Sequence, residues 1–156
     1  MTKDVIVRVR GVQFIPDTPD EEEPIEIVTP GVYEYADGVH KIVYEETFEG
    51  FENEPTVNTV TIADDSIIVQ KVGAITVDMV FEPGKMNIAY YETPYGILDM
   101  GISTMGLNVR CAEDLFEIRA DYSLSMNGEF VADCMIEIIA EPRNTSERDT
   151  LFTVRE

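Results

Sequence analysis

The chain has no tryptophan, a single histidine and two cysteines in 156 residues. One histidine, His40, is too few for a multi-histidine metal site, and beside Gly38 it reads as an exposed turn residue. Two cysteines do not make the framework of a disulfide-stapled secreted domain. Basic residues are scarce as well: 11 Lys and Arg stand against 31 Asp and Glu, a formal charge of -20. Such a chain repels phosphate backbones and anionic lipid, so neither a nucleic acid nor a membrane is expected as a partner, whereas a basic protein or a cation is electrostatically allowed. No apolar run approaches the roughly 20 residues that span a bilayer. Met1, Thr2, Lys3 and Asp4 lead straight into a strand pattern without signal-peptide character, and a cytoplasmic location is the expectation. No GlyXSerXGly elbow, phosphate loop, dinucleotide fingerprint or calcium-loop spacing is present, which leaves no catalytic residue, metal or cofactor to assign.

What the chain does have is alternation. With 44% hydrophobic residues it can bury a core, and its length suits one domain, residues 1–156. The stretch from Ile75 to Ala140 reads as five antiparallel strands joined by tight turns. Its apolar rows are Ile75, Val77, Met79 and Phe81; Met86, Ile88 and Tyr90; Leu98, Met100 and Ile102; Leu107, Val109 and Cys111. Phe116, Ile118, Ala120, Tyr122 and Leu124 follow, then Phe130, Ala132, Cys134, Ile136 and Ile138. Polar residues such as Asp78, Asn87, Asp99, Glu117 and Asp133 occupy the opposite faces, as a half-buried sheet requires.

Turn chemistry sets the expected pairings, because residues opposite each other across a hairpin share a face. A type II turn at Pro83-Gly84 places Phe81 opposite Met86 and Met79 opposite Ile88. At Asn127-Gly128 a two-residue turn would set Tyr122 against Asp133 and mix the faces. A three-residue loop, Met126 to Gly128, instead pairs Leu124 with Phe130 and Ala120 with Cys134, and is the expected register. Cys111 then lies too far along to reach Cys134, so two buried thiols are expected.

Before this meander, Val5, Val7 and Val9 alternate with Ile6, Arg8 and Arg10. Asp17 to Glu23 reads as a solvated acidic loop. Pro30-Gly31 interrupts the strand from Ile25 to Tyr35 and suggests a bulge or kink. In the next strand Ile42, Tyr44, Glu46 and Phe48 share a face, and Asp64-Asp65 turns a hairpin with Ile62 opposite Ile67. After Pro142 the chain is polar, a tail over 143–156, except for Leu151, Phe152 and Val154, which are expected to dock on an edge of this chain or of a second copy. Strands at regular spacing with no helical period predict an all-β fold, an antiparallel up-and-down meander closed into a barrel of about 8–10 strands.

Certain motifs resemble a known family: GlyValTyrGluTyr at 31–35, LysIleValTyrGluGlu at 41–46, MetValPheGluProGly at 79–84, TyrTyrGluThrProTyrGly at 90–96 and MetGlyIleSerThr at 100–104. In this order they are similar to the YwiB-like family of small bacterial proteins, mostly from Firmicutes, a domain of unknown function. The resemblance runs from about Val5 to Glu141. It implies a calycin (lipocalin-like) β-barrel and supplies no activity or site residue.

Glu46 is the most informative polar residue, because an inward carboxylate must be paired, reach water at the barrel mouth, or be strongly desolvated. With Tyr44, Met79, Tyr90, Met100 and Tyr122 on the same predicted interior it outlines a lumen for a small, largely apolar ligand. The alternative is a filled barrel that acts as an interaction protein, recruiting a basic partner or forming a homodimer. An enzyme built around Glu46 comes third.

Overall fold

The computed structural model describes residues 2–14, 25–112 and 115–143 and turns the alternation into ten strands. These are β1 (Thr2–Phe14), β2 (Ile25–Ala36), β3 (Val39–Glu46), β4 (Thr56–Ala63), β5 (Ser66–Val72), β6 (Val77–Phe81), β7 (Met86–Thr93), β8 (Gly96–Ala112), β9 (Leu115–Met126) and β10 (Glu129–Pro142). All belong to one antiparallel sheet in the order β6-β5-β4-β3-β2-β1-β10-β9-β8-β7. The first and last strands pair along Val5 to Phe14, so the sheet curls into a nearly closed up-and-down barrel. The acidic loop at 17–23 and the apolar tail residues Leu151, Phe152 and Val154 lie outside the described residues. No helix among the described residues is long and apolar enough to cross a membrane.

The region from Ile75 onward does hold five strands, β6 to β10, because the rows at 98–102 and 107–111 are one long strand. A register shift between Thr104 and Gly106 leaves Met105 unpaired and exposed, and restores the inward parity on its far side. The strand from Phe116 to Leu124 is as predicted, with Phe116, Ile118, Ala120 and Leu124 buried and Tyr122 packed against them. Ile62 lies opposite Ile67, also as predicted.

Four expectations are corrected. The Asn127-Gly128 turn is the two-residue form, both residues having positive φ (51° and 86°), with Met126 opposite Glu129. The mixed faces that argued against it are avoided by a bulge between Phe130 and Ala132, after which Tyr122 meets Cys134 and Ala120 meets Ile136. The bulge also turns Phe130 outward. Second, Pro30-Gly31 makes no register shift against either β1 or β3. Gly31 is there for close approach: a Cβ on it would stand 2.7 Å from both the Val43 carbonyl oxygen and Val7 Cγ2.

The third correction concerns β6 and β7, which form no hairpin ladder. They are the two edges of the sheet and meet in one isolated bridge, Thr76 opposite Glu92. Continued along both strands, that bridge sets Asp78 against Tyr90 and Val80 against Ile88, one residue away from the predicted register. A shift of one residue reverses every side chain. Asn87, Ala89 and Tyr91 therefore point inward, while Met86, Ile88 and Tyr90 are exposed. Lower down, the Asn87 amide donates to the Val80 carbonyl at 3.3 Å and bridges the seam. The fourth is Cys111, which is exposed because β8 runs past the end of the core there; Cys134 is buried, and both are free thiols.

Val7, Ile42, Val60, Phe81 and Ile102 are fully buried and fill the middle of the barrel. Burial of side chains this size contributes about 1.5–3 kcal/mol each, which makes this packed layer the main source of stability.

Candidate functional site

β3 connects two chemically different ends of the barrel. At its start His40 is half-buried rather than exposed. The ring stacks on Phe116 at a centroid distance of 4.6 Å and lies 4.7 Å from Tyr35, and Nδ1 is 2.6 Å from the Tyr33 hydroxyl. Loss of hydration in this aromatic plug lowers the His40 pKa below its ordinary value. Cys111 shares the inward parity of Phe116, its cross-strand partner, at the rim of the same end.

At the other end of β3 the inward row finishes on Tyr44 and Glu46. β4 and β5 bring Asn58 and Lys71 to the same place, because Asn58 has the parity of Val60 and Ile62, and Lys71 that of Ile67 and Val69. The three polar groups close a triangle. Lys71 Nζ donates to Glu46 Oε1 at 3.2 Å and to Asn58 Oδ1 at 2.6 Å, while Asn58 Nδ2 donates to Glu46 Oε1 at 3.2 Å. Asn58 is fully buried, and the Lys71 and Glu46 side chains are 18% and 15% exposed. The carboxylate is thus neither bare nor out in water; it is held by two donors at the barrel mouth.

Aromatic hydroxyls continue inward from this triangle. Burial raises the Tyr44 pKa, and the Glu46 charge adds to the effect. Tyr91 on β7 is raised by the same two causes. Tyr122 is raised by burial first, then by Cys134 and Tyr91, and its ring meets Phe81 edge-on at 5.0 Å. The phenols are therefore neutral donors over the ordinary pH range.

Five of the six lumen residues named from the sequence point inward: Tyr44, Glu46, Met79, Met100 and Tyr122. Tyr90 does not; it is 62% exposed on the outer face, for the register reason given above. The phenol that takes its place is Tyr91. Asn58, Lys71 and Tyr91 were missed, although strand parity carried the signal for the first two. Met79 and Met100 belong to the packed core.

Water reaches Glu46 through a cleft. The β2–β3 ladder stops at Gly31 opposite Tyr44, so the upper part of β2 and the end of β3 separate. Ile25, Ile27, Val28 and Thr29 form one wall, and Glu45, Glu46, Thr47 and Phe48 the other, around a volume of about 450 Å³. That is the size of a small-molecule site. Among the described residues no group of three or more His, Cys, Asp or Glu could hold a metal ion.

Residues 7–138 match the family described as a domain of unknown function, DUF1934. The chain belongs to the DUF1934 family. No curated protein matches it. Among solved structures it is similar to the crystal structure of the ywiB protein from Bacillus subtilis, with 21% identity over 92% of this chain and 94% of that one, and a TM-score of 0.74. At that identity the likeness shows the fold, so for this DUF1934 member the chemistry of the cleft rests on its own residues.

Proposed function

We propose that this chain is a non-enzymatic binding protein that takes a small, largely apolar molecule with one hydrogen-bond-donating head in the cleft beside Glu46. The middle of the barrel is occupied by its own side chains, so the ligand sits at the mouth. The observation that carries the reading is an open cleft of about 450 Å³, lined in part by Ile25, Ile27, Val28 and Phe48, that includes a carboxylate fixed in place by Lys71 and Asn58. A fixed acceptor among apolar walls orients a head group with little reorganisation. Glu45 and the overall charge of -20 favour an amine or alcohol over an acid. Catalysis is not part of the reading, because two donors already converge on Glu46 Oε1. A cytoplasmic setting is included in the proposal and is supported by the two unpaired thiols.

Thermal-shift measurements with hexylamine, hexanol and hexanoate test this. At equal ligand concentration, tighter binding to the folded state raises the melting temperature more. Hexylamine and hexanol should stabilise the protein and hexanoate should not, and Phe48→Ala and Glu46→Gln should each reduce the shift. Equal stabilisation by hexanoate, or shifts indifferent to both substitutions, would overturn the reading.

A further inference from the structure

Gly11 lies inside β1, on the inward row of Val5, Val7 and Val9, where a glycine weakens a strand and calls for a reason. The backbone supplies none. The ladders to β2 and β10 run through Gly11 without a register shift, opposite Ile25 and Ile136, and its φ is not positive. No neighbour crowds it either. Within 4 Å a Cβ added there would meet only the Met135 carbonyl oxygen, at 4.0 Å, whereas at Gly31 it would stand 2.7 Å from two atoms. What the missing side chain leaves is space: a hollow of about 130 Å³ opens at this point, with Gly11, Gln13, Ile25, Tyr122 and Ile136 among its lining residues. Where a strand glycine serves neither a bulge nor a close backbone contact, the remaining use is the approach of a ligand.

The hollow adjoins the Glu46 cleft, and Ile25 lines both. The inward row of β2 leads from one to the other. Gly31 opposite Tyr44 is the last β2–β3 pair, so two residues further on Thr29 stands level with Glu46; Ile27 and Ile25 follow, and Ile25 pairs with Gly11. Thr29 and Ile25 are about 13 Å apart along the strand. We propose that the hollow over Gly11 receives the far end of an apolar chain whose head is held at Glu46, which makes the ligand a linear amine or alcohol of about ten carbons. The inference rests on the cleft reading above and adds to it the length and shape of the molecule. Ile27 and Ile25 give the chain an apolar path along a single strand, which a straight molecule follows. At about 30 Å³ for each small group, the hollow has room for about four terminal carbons.

Isothermal titration calorimetry of the full chain with hexylamine, octylamine and decylamine tests this. From six to ten carbons Kd should tighten by up to about fourfold per added methylene, the gain for a fully buried group. Gly11→Val fills the hollow with a good strand former and should cut the whole gain from hexylamine to decylamine to less than about twofold. Gly11→Ala fills less of the space and should remove part of the gain. Both variants should melt no lower than the parent, since the added groups displace no contact and a strand glycine is replaced. Decylamine binding no tighter than hexylamine, or a Gly11→Val chain that keeps the full gain, would overturn the inference and leave the cleft reading standing. Failure of all three amines to bind the parent would overturn both.

Discussion

Replacing Lys71 with methionine keeps most of the length of the side chain and removes its charge. In the native barrel its ammonium serves Asn58 Oδ1 at 2.6 Å and Glu46 Oε1 at 3.2 Å. Asn58 is fully buried, so its orphaned oxygen costs about 1–3 kcal/mol. Glu46 keeps the Asn58 amide as donor and touches water, so losing its cation costs about 1 kcal/mol rather than the 3–5 kcal/mol of a sealed pair. The variant should therefore lose about 2–4 kcal/mol, a fall in Tm of roughly 5–15 °C for a chain of this size. Urea unfolding followed by circular dichroism measures it, with an unchanged m-value showing that the same surface is exposed. In a Glu46→Gln background the Lys71→Met cost should shrink by about 1 kcal/mol, because the uncompensated charge is gone. The exposed pair Arg110–Glu117 serves as control: Arg110→Gln should change stability by less than about 1 kcal/mol. A Lys71→Met variant within about 0.5 kcal/mol of the parent would refute the claim that the triangle is a buried, mutually dependent unit.

Stability should also decline at alkaline pH. Tyr33, Tyr44, Tyr91 and Tyr122 all have folded pKa values above that of a free phenol, so the unfolded chain releases these protons first and stability falls once pH rises past about 10; a pH series of melting curves checks the sign, and a rise would contradict it. Thiol titration with Ellman's reagent should label Cys111 at once and Cys134 only on unfolding, since one thiol is exposed and burial raises the pKa of the other; equal rates would show that the inner face of β10 is open. Gly31→Ala should cost about 1–3 kcal/mol, because its Cβ would press on the Val43 carbonyl and the Val7 methyl group; a neutral result in urea unfolding would mean that β2 and β3 separate easily.

Much of this was legible in strand parity. The row from Phe116 to Leu124 has polar residues between apolar ones, so only one face could be the inner one; Val5, Val7 and Val9 alternate with Ile6, Arg8 and Arg10, and there the two arginines mark the outer face. In β7 parity alone does not decide the inner face. Met86, Ile88 and Tyr90 compete with Asn87, Ala89 and Tyr91, both sets carry apolar groups, and only the pairing decides between them. The Pro83-Gly84 turn suggested a hairpin ladder, but β6 ends on the β5 side of the seam and the bridge at Thr76 and Glu92 sets a different register. The bulge at Val131 is invisible to alternation for the same reason: it is the insertion that makes the two-residue turn compatible with matched faces. In the site, Tyr44 and Glu46 followed from parity. Lys71 and Asn58 have equally clear inward parity, but a polar side chain in a strand ordinarily faces water, and only the partner each finds on a neighbouring strand lets it face inward. The cleft itself could not be read, since it arises where the β2–β3 ladder stops.

The central claim is that the cleft beside Glu46 holds a small molecule. Native mass spectrometry of the protein isolated from its own host tests it most directly, compared with Phe48→Ala and Glu46→Gln chains isolated in the same way. The account predicts a stoichiometric adduct, released on denaturation, that carries an amine or hydroxyl group and is depleted in both variants. An adduct held equally by all three chains, or the bare chain mass together with no stabilisation by hexylamine or hexanol, would contradict it.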